Sequence, residues 1–328
     1  MCLLSAVLML TLGVATAPAQ HNELSGVVST DGGDIPIVVP RMTEAVASVL
    51  APELVADGGL EVDGGVAPLV APETLSVYNV NLPAETALSV GFFGLYFVVD
   101  ILVKPTLAAG STCLHVTAAT LCDPSDLSAF DRYAVGRQSV AWSAFSDVAL
   151  ATSLIVPILY LGLESLTLPT RQPWGDFIND SLVIAESLAL TATVQTLLKF
   201  AFRRPRPINY SSPVTGVNID SQLSMPSGHS ALVAAATTAL TTTVFLRHPE
   251  SKLRYVFLAA GISLSLATGF ARVQAGVHFP TDVITGLLIG AASGFAVPYL
   301  HRKESRISPS VAFDPLTGTT MLAISGGL

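Results

Sequence analysis

VITGLLIGAASGFAVPYL, residues Val283 to Leu300, runs for eighteen positions without a charged side chain. As a helix it would be about 27 Å long, close to the hydrocarbon thickness of a bilayer. Gly286, Gly290 and Gly294 recur at every fourth position. That spacing lines hydrogen-only side chains along one helix face, where a neighbouring backbone can approach closely. Pro280 stands just upstream, at a place in the first helical turn where a missing N–H costs nothing. This segment predicts a membrane helix that starts near residue 280 and packs tightly on a partner.

Five further apolar stretches lie upstream, at Thr86 to Val103, Val148 to Leu163, Ser181 to Leu198, Ser230 to Leu246 and Tyr255 to Ala271. Several fall short of twenty residues, and Asp100 and Glu186 interrupt two of them, so short buried core helices are the competing reading. Composition favours the bilayer: 51% hydrophobic and 12% charged residues, with a mean hydropathy of +0.60, lie outside the range of ordinary soluble domains. The fold class is therefore all-α, a membrane-embedded helical bundle of five or six apolar helices. A formal net charge of -8 argues against a nucleic-acid partner, and nothing in the sequence calls for a protein partner.

Outside the bundle the sequence changes character. Residues 1–19 read as a signal peptide or an N-terminal anchor, apolar from Leu3 to Val14 and ending in small residues at Ala15 to Ala19, with no basic residue ahead of the apolar run. Residues 20–83 read as a flexible low-complexity linker; short strands at Ile35 to Val39 and Val66 to Val70 are the alternative. Residues 84–306 read as one helical domain, and residues 307–328 as a tail whose Asp314 to Gly318 turn suggests a short β-hairpin. Loss of the first segment would leave Cys113 and Cys122 as a pair in one polar loop. They are a possible disulfide in an oxidising compartment, or two free thiols.

Chemistry concentrates in three blocks. The first is Lys199 with Arg203, Arg204 and Arg206, where Pro205 and Pro207 stop the third apolar helix; alone, it is equally a membrane-flanking basic cluster. The second, Met225-Pro226-Ser227-Gly228-His229-Ser230, directly precedes a helix, so its N–H groups would face a bound anion. Alone, it is equally a turn and cap. The third runs from Arg272 through His278 to Asp282. One helical turn separates His278 from Asp282, close enough for the carboxylate to accept Nδ1–H and leave Nε2 as a nucleophile. Two helices lie between the second and third blocks, so both fall on one membrane face. Clustered cations, two imidazoles and a helix N-terminus together are what in-line displacement on phosphorus requires.

In order, Lys199-x6-Arg206-Pro207, Pro226-Ser227-Gly228-His229 and Arg272-x5-His278-x3-Asp282 resemble the three-part signature of the PAP2 superfamily, which includes lipid phosphate phosphatases, bacterial acid phosphatases and vanadium haloperoxidases. The resemblance covers Lys199 to Asp282 and implies a helical catalytic core. It implies that Lys199, Arg206 and Arg272 hold phosphate oxygens, that Ser227 and Gly228 add hydrogen bonds, that His229 protonates the leaving oxygen, that His278 forms a phosphohistidine, and that Asp282 orients His278. No metal or cofactor is expected, since Lys and Arg can neutralise the developing charge; vanadate would enter only for a haloperoxidase. One departure is Ala271, where the family usually has Ser ahead of the arginine, so one hydroxyl contact to phosphate is missing. Arg203 and Arg204 read as loop cations without a catalytic role.

These features lead to a phosphatase acting on a phosphomonoester or pyrophosphate, with a phosphorylated lipid as substrate because the site opens at the mouth of membrane helices. A haloperoxidase and a non-catalytic phosphate-binding membrane protein are the alternatives. Arg247, Lys252 and Arg254 in one loop, and Arg302, Lys303 and Arg306 in the tail, mark the opposite face as cytoplasmic. The site then faces the periplasm from the inner membrane of a bacterial cell envelope, a soluble periplasmic enzyme being the alternative. An exported N-terminus conflicts with six crossings, so the sequence suggests that Thr86 to Val103 lies peripherally or re-enters without crossing.

Overall fold

The computed structural model describes residues 76–107, 113, 115, 122–168, 170–211 and 219–303, and the backbone of strands 307–314 and 319–326. The signal or anchor segment and most of the linker lie outside the described residues. Six long helices carry the fold: α1 (Leu82–Val98), α2 (Val140–Thr167), α3 (Pro173–Phe202), α4 (Gly228–Arg247), α5 (Leu253–Gln274) and α6 (Pro280–His301). A π-helical stretch (Val99–Val103) and a last turn (Lys104–Leu107) prolong α1.

Local chemistry sets the helix ends. The Asn81 side chain accepts from Ala84 N, and the Ser139 hydroxyl accepts from Trp142 N, each satisfying a donor the first turn cannot pair. Prolines open α3 and α6. Arg203, at φ +44°, turns the chain out of α3, and Arg206 then lies extended ahead of a short turn at Pro207–Tyr210.

Packing is inverted relative to a soluble protein. Large apolar side chains point outward: Val140 is 83% exposed, Leu166 71% and Leu288 66%. The interior holds Ser146, Ser187, Thr191, Thr243, Asp176, Asp180 and Glu186. Such a molecule is stable only where its surroundings are apolar and its polar groups satisfy one another. All six helices are long and apolar enough to cross a membrane, and the chain is an integral membrane protein.

The core is a close pairing of α4 with α6. A methyl group on Gly286 would lie 2.5 Å from Ser227 O, on Gly290 2.0 Å from Ala231 O, and on Gly294 2.4 Å from Ala235 O. Only glycine lets these backbones touch, and the face met on α4 is a run of buried alanines, including Ala231, Ala235 and Ala239. The two helices start side by side, with Ser227 N donating to Asp282 O at 3.0 Å.

Two expectations change. The first apolar stretch, expected to lie peripherally or re-enter, is one continuous helical segment, Leu82–Thr106, 25 residues long and apolar enough to cross a membrane, its Asp100 being engaged by Lys104 one turn on at 3.3 Å. Residues 76–81, read with the linker, are held in place. Tyr78 is buried, its hydroxyl 2.7 Å from Thr243 Oγ1, and the strand-like segment pairs with the end of α6 through Asn79 N to His301 O and Lys303 N to Val77 O, both 2.8 Å. Residues 76–81 and 301–303 therefore share one end of the bundle. In the tail, Ile307–Asp314 pairs antiparallel with Thr319–Gly326, Asp314 opposite Thr319.

Candidate active site

All three blocks meet at the other end, where α3 and α5 finish and α4 and α6 begin. Lys199 sits in the last turn of α3 and reaches the start of α4: a Cβ on Gly228 would lie 3.5 Å from its ammonium. Lys199 and Arg206 line one cavity with Asp100, Lys104, Thr196 and Asp220. Lys104 engages both acids in that cavity, Asp220 at 2.5 Å and Asp100 at 3.3 Å. Among the described residues, Lys199 and Arg206 have no carboxylate within salt-bridge distance, so their charge is available to an anion.

Ser227 is fully buried, its hydroxyl 3.0 Å from that of Ser230. His229, in the first turn of α4, places Nε2 2.8 Å from Asp147 Oδ1. An ionised carboxylate only accepts, so with Asp147 charged Nε2 carries a proton. The Asp147 carboxylate also lies 3.9 Å from Arg272, whose guanidinium donates to Ser146 Oγ at 3.2 Å. Arg272 is buried in the last turn of α5.

Between α5 and α6 the chain reverses at Gly276. Its φ is +69°, and a Cβ there would lie 1.6 Å from Arg137 O, so conformation and space both require glycine. This turn delivers His278, 2% exposed, into the site. Burial pushes the His278 imidazole well below its ordinary pKa, and the charges of Arg206, Arg272, Lys199 and His229 push it further. That dependence records convergence: all three blocks act on one ring, which stays neutral at neutral pH.

Asp282 is placed differently from the role the resemblance implies. Its Oδ2 is 3.7 Å from His278 Nδ1, beyond hydrogen-bond range, and Nδ1 has no partner. The carboxylate is instead saturated by Arg204 Nη1 at 2.7 Å, Ser224 Oγ at 2.5 Å and Phe279 N at 2.8 Å. Asp282 therefore fixes the start of α6 and, through it, the backbone carrying His278. Arg204 is more than a loop cation: it joins Asp282 to Asp131 (2.8 Å) and lies over the Phe279 ring. Cys113 and Cys122 are disulfide-bonded, with Cα atoms 5.1 Å apart. Cys122 packs with Tyr210 and Phe279, which sets the disulfide against the start of α6.

Asp147 and Arg204 are side chains at the site that the sequence did not reveal. Asp147 precedes an apolar stretch and looks like its polar flank, since nothing local ties it to His229 eighty-two positions away. Arg204 stands among four cations in eight residues, and spacing alone does not say which ones turn toward structure.

Comparison with known proteins bears on the same segment. The profile of the PAP2 superfamily matches residues 180–306. A decaprenylphosphoryl-5-phosphoribose phosphatase of Mycobacterium tuberculosis is 31% identical over 137 residues, 41% of this chain and 66% of that protein; this chain thus spans just under two thirds of that relative's length. An undecaprenyl-diphosphatase of Sulfolobus acidocaldarius is 25% identical over 52% of this chain and 83% of its own. A lipid A 1-phosphatase of Rhizobium johnstonii is 34% identical over 32% and 41%. The crystal structure of a transmembrane PAP2 type phosphatidylglycerolphosphate phosphatase from Bacillus subtilis aligns over 66% of this chain and 94% of its own, with 19% identity and a TM-score of 0.40. All three blocks lie inside the segment, residues 180–306, that matches the PAP2 superfamily.

Proposed function

We propose that this protein is a phosphatase that removes phosphate from a lipid phosphomonoester or pyrophosphate through a phosphohistidine, with no metal required for catalysis. The observation that carries the reading is a buried, neutral His278 surrounded by Lys199, Arg206 and Arg272, cations without a full complement of counter-ions. The His278 lone pair forms the N–P bond while the P–O bond to the leaving group breaks. His229, its Nε2–H held by Asp147, enters the step as the imidazolium and gives that oxygen its Nδ1 proton. Water then attacks phosphorus, returns a proton to His229 and breaks the N–P bond, releasing phosphate and free His278. Lys199, Arg206 and Arg272 neutralise the equatorial oxygens throughout, and the N–H groups that open α4 add to them. Asp282 acts as a positioning residue.

The substrate class follows from location: the site sits at one end of membrane helices, where an amphiphile presents its headgroup while its chains stay in lipid. Relatives named for decaprenyl, undecaprenyl and lipid A phosphates are consistent with that class. On the six-helix course, Arg247, Lys252, Arg254, Arg302 and Lys303 share the face opposite the site, and positive loops stay cytoplasmic. The catalytic face then points to the periplasm of a bacterial inner membrane. A cleaved signal peptide would oppose that orientation, and the positive loops carry the choice.

The test is phosphate release by purified protein in a chelator, comparing undecaprenyl pyrophosphate, phosphatidate, lipid A and a soluble aryl phosphate. Activity should favour the lipids and fall by about 10³-fold or more in His278→Ala, with circular dichroism and Tm unchanged. Full turnover in that variant overturns the reading, and bromide oxidation with vanadate and peroxide would replace it with the haloperoxidase.

A further inference from the structure

At the end of the bundle away from the catalytic pocket, three helices bring together Glu85 from the first turn of α1, Glu186 from the middle of α3 and His301, the last residue of α6. About 32 Å of helix separates His301 from the catalytic end of α6. All three residues are buried, at 8%, 5% and 5% exposure, and one ligand atom from each lies within 4.8 Å of the other two.

The geometry is unlike that of a finished ion-pair network. His301 Nε2 lies 3.4 Å from Glu85 Oε2 and 3.4 Å from Glu186 Oε2. Neither His301 Nε2 nor Glu186 Oε2 has a hydrogen-bond partner, although both are enclosed. The other ring nitrogen, Nδ1, is 2.8 Å from the Val297 carbonyl. A carbonyl only accepts, so Nδ1 carries a proton and Nε2 points into the space between the carboxylates, where it offers a lone pair whenever the ring is neutral. A backbone carbonyl holding the distal N–H is how proteins orient an imidazole that ligates a metal.

Distance and charge agree with this. Ligand bonds of about 2.1 Å in a tetrahedron put neighbouring ligand atoms about 3.4 Å apart. Among the described residues no lysine or arginine forms a salt bridge with Glu85 or Glu186. Two buried carboxylates leave net negative charge in a low-dielectric setting even when the imidazole between them is protonated, and a divalent cation would neutralise it. Ser89, one turn beyond Glu85 on the same face of α1, adds a buried hydroxyl that also lacks a partner.

We propose that Glu85, Glu186 and His301 form a binding site for one divalent transition-metal ion, zinc by ligand chemistry. One imidazole with two carboxylates suits Zn²⁺ and disfavours Mg²⁺ and Ca²⁺, which take oxygen ligands. The ion ties α1 to α3 and α6, and so fastens the first helix to the bundle that carries the reaction. The site is structural, and it stands or falls independently of the phosphatase assignment.

The test uses the full chain in detergent, stripped with chelator and titrated with Co²⁺ as a spectroscopic stand-in for zinc. The wild type should bind about one equivalent, show visible ligand-field bands and gain about 5 °C or more in Tm. Glu186→Gln and His301→Ala should abolish bands and Tm gain, Glu85→Gln should weaken binding at least tenfold, and His278→Ala should bind like wild type. A wild type that shows neither bands nor a Tm gain overturns the site, and needs no variant to fold. Full binding in Glu186→Gln, or its loss in His278→Ala, overturns it equally.

Discussion

Arg206 and Arg247 are both arginines at an end of a membrane helix, and the molecule treats them in opposite ways. Arg247, closing α4, is clasped between Glu164 of α2 and Asp180 of α3. Glu164 also meets His248 at 2.5 Å and the Tyr160 hydroxyl at 3.0 Å. At the other end, among the described residues, Arg206 has no such clasp, Arg272 has one exposed carboxylate 3.9 Å away, and Lys199 faces the opening of α4. Charge that is matched inside the protein holds helices together. Charge left unmatched waits for a ligand, and the fold carries the repulsion among those cations until the ligand arrives. On the proposed function, the difference gives stability to one end and chemistry to the other.

Arg247→Ala should break the comparison most severely at the stability end. It strands Glu164 and Asp180 as buried carboxylates, and losing one partner of a buried pair costs about 3–5 kcal/mol. Urea or thermal unfolding in detergent checks this, while phosphate release per folded molecule stays near wild type. Arg206→Ala should do the reverse. Removing one donor from a transition-state anion site costs about 10²–10³ in turnover, and Tm should hold or rise because a cation that repels Lys199 and Arg272 has gone. If both variants lose stability and activity in equal measure, the division between the ends is wrong.

Arg204 sharpens the boundary, because it belongs to the catalytic end yet behaves like Arg247. It spans Asp131 and Asp282, and its side chain is 20% exposed, so solvent softens the loss. Arg204→Met should cost about 2 kcal/mol in unfolding experiments. Its activity should fall about tenfold, through displacement of the start of α6 rather than through lost contact with phosphate. A fall in kcat with KM unchanged would place the loss in the transition state rather than in substrate binding.

What the sequence made legible follows from what is local. The six helices were visible because apolar length is a property of consecutive residues, although their ends lay several residues beyond the apolar cores: α2 begins at Val140, not Val148, because Ser143, Ser146 and Asp147 interrupt the apolar run without ending the helix. The Gly286, Gly290 and Gly294 stripe announced a close contact but not its partner, since only the fold brings Ala231 against it. Of the site, the three blocks could be read from order and spacing. Asp147 could not, because its tie to His229 bridges two helices. The spacing of His278 and Asp282 suggested a direct hydrogen bond; three stronger donors occupy that carboxylate instead.

The smallest effect is expected from pH, and its sign follows from His278. Burial, with Arg206, Arg272 and Lys199 close by, holds the folded ring neutral well below the ordinary histidine range. The unfolded chain takes up that proton near pH 6.5, so on acidification the unfolded state binds more protons and gains free energy. His278 therefore contributes no pH dependence above about pH 7.5 and lowers stability progressively as pH falls through 6.5, by about 1.4 kcal/mol at pH 5.5. Comparing Tm at pH 7.5 and 5.5 in wild type and His278→Gln isolates this share, because the variant lacks the titrating ring. A saturating phosphate analogue such as vanadate should shrink the difference, since an anion offsets the cations that keep the ring neutral. The same neutrality places the His278 limb of kcat/KM below pH 6.5, so a limb above that value would show that the unmatched cations do not govern the nucleophile.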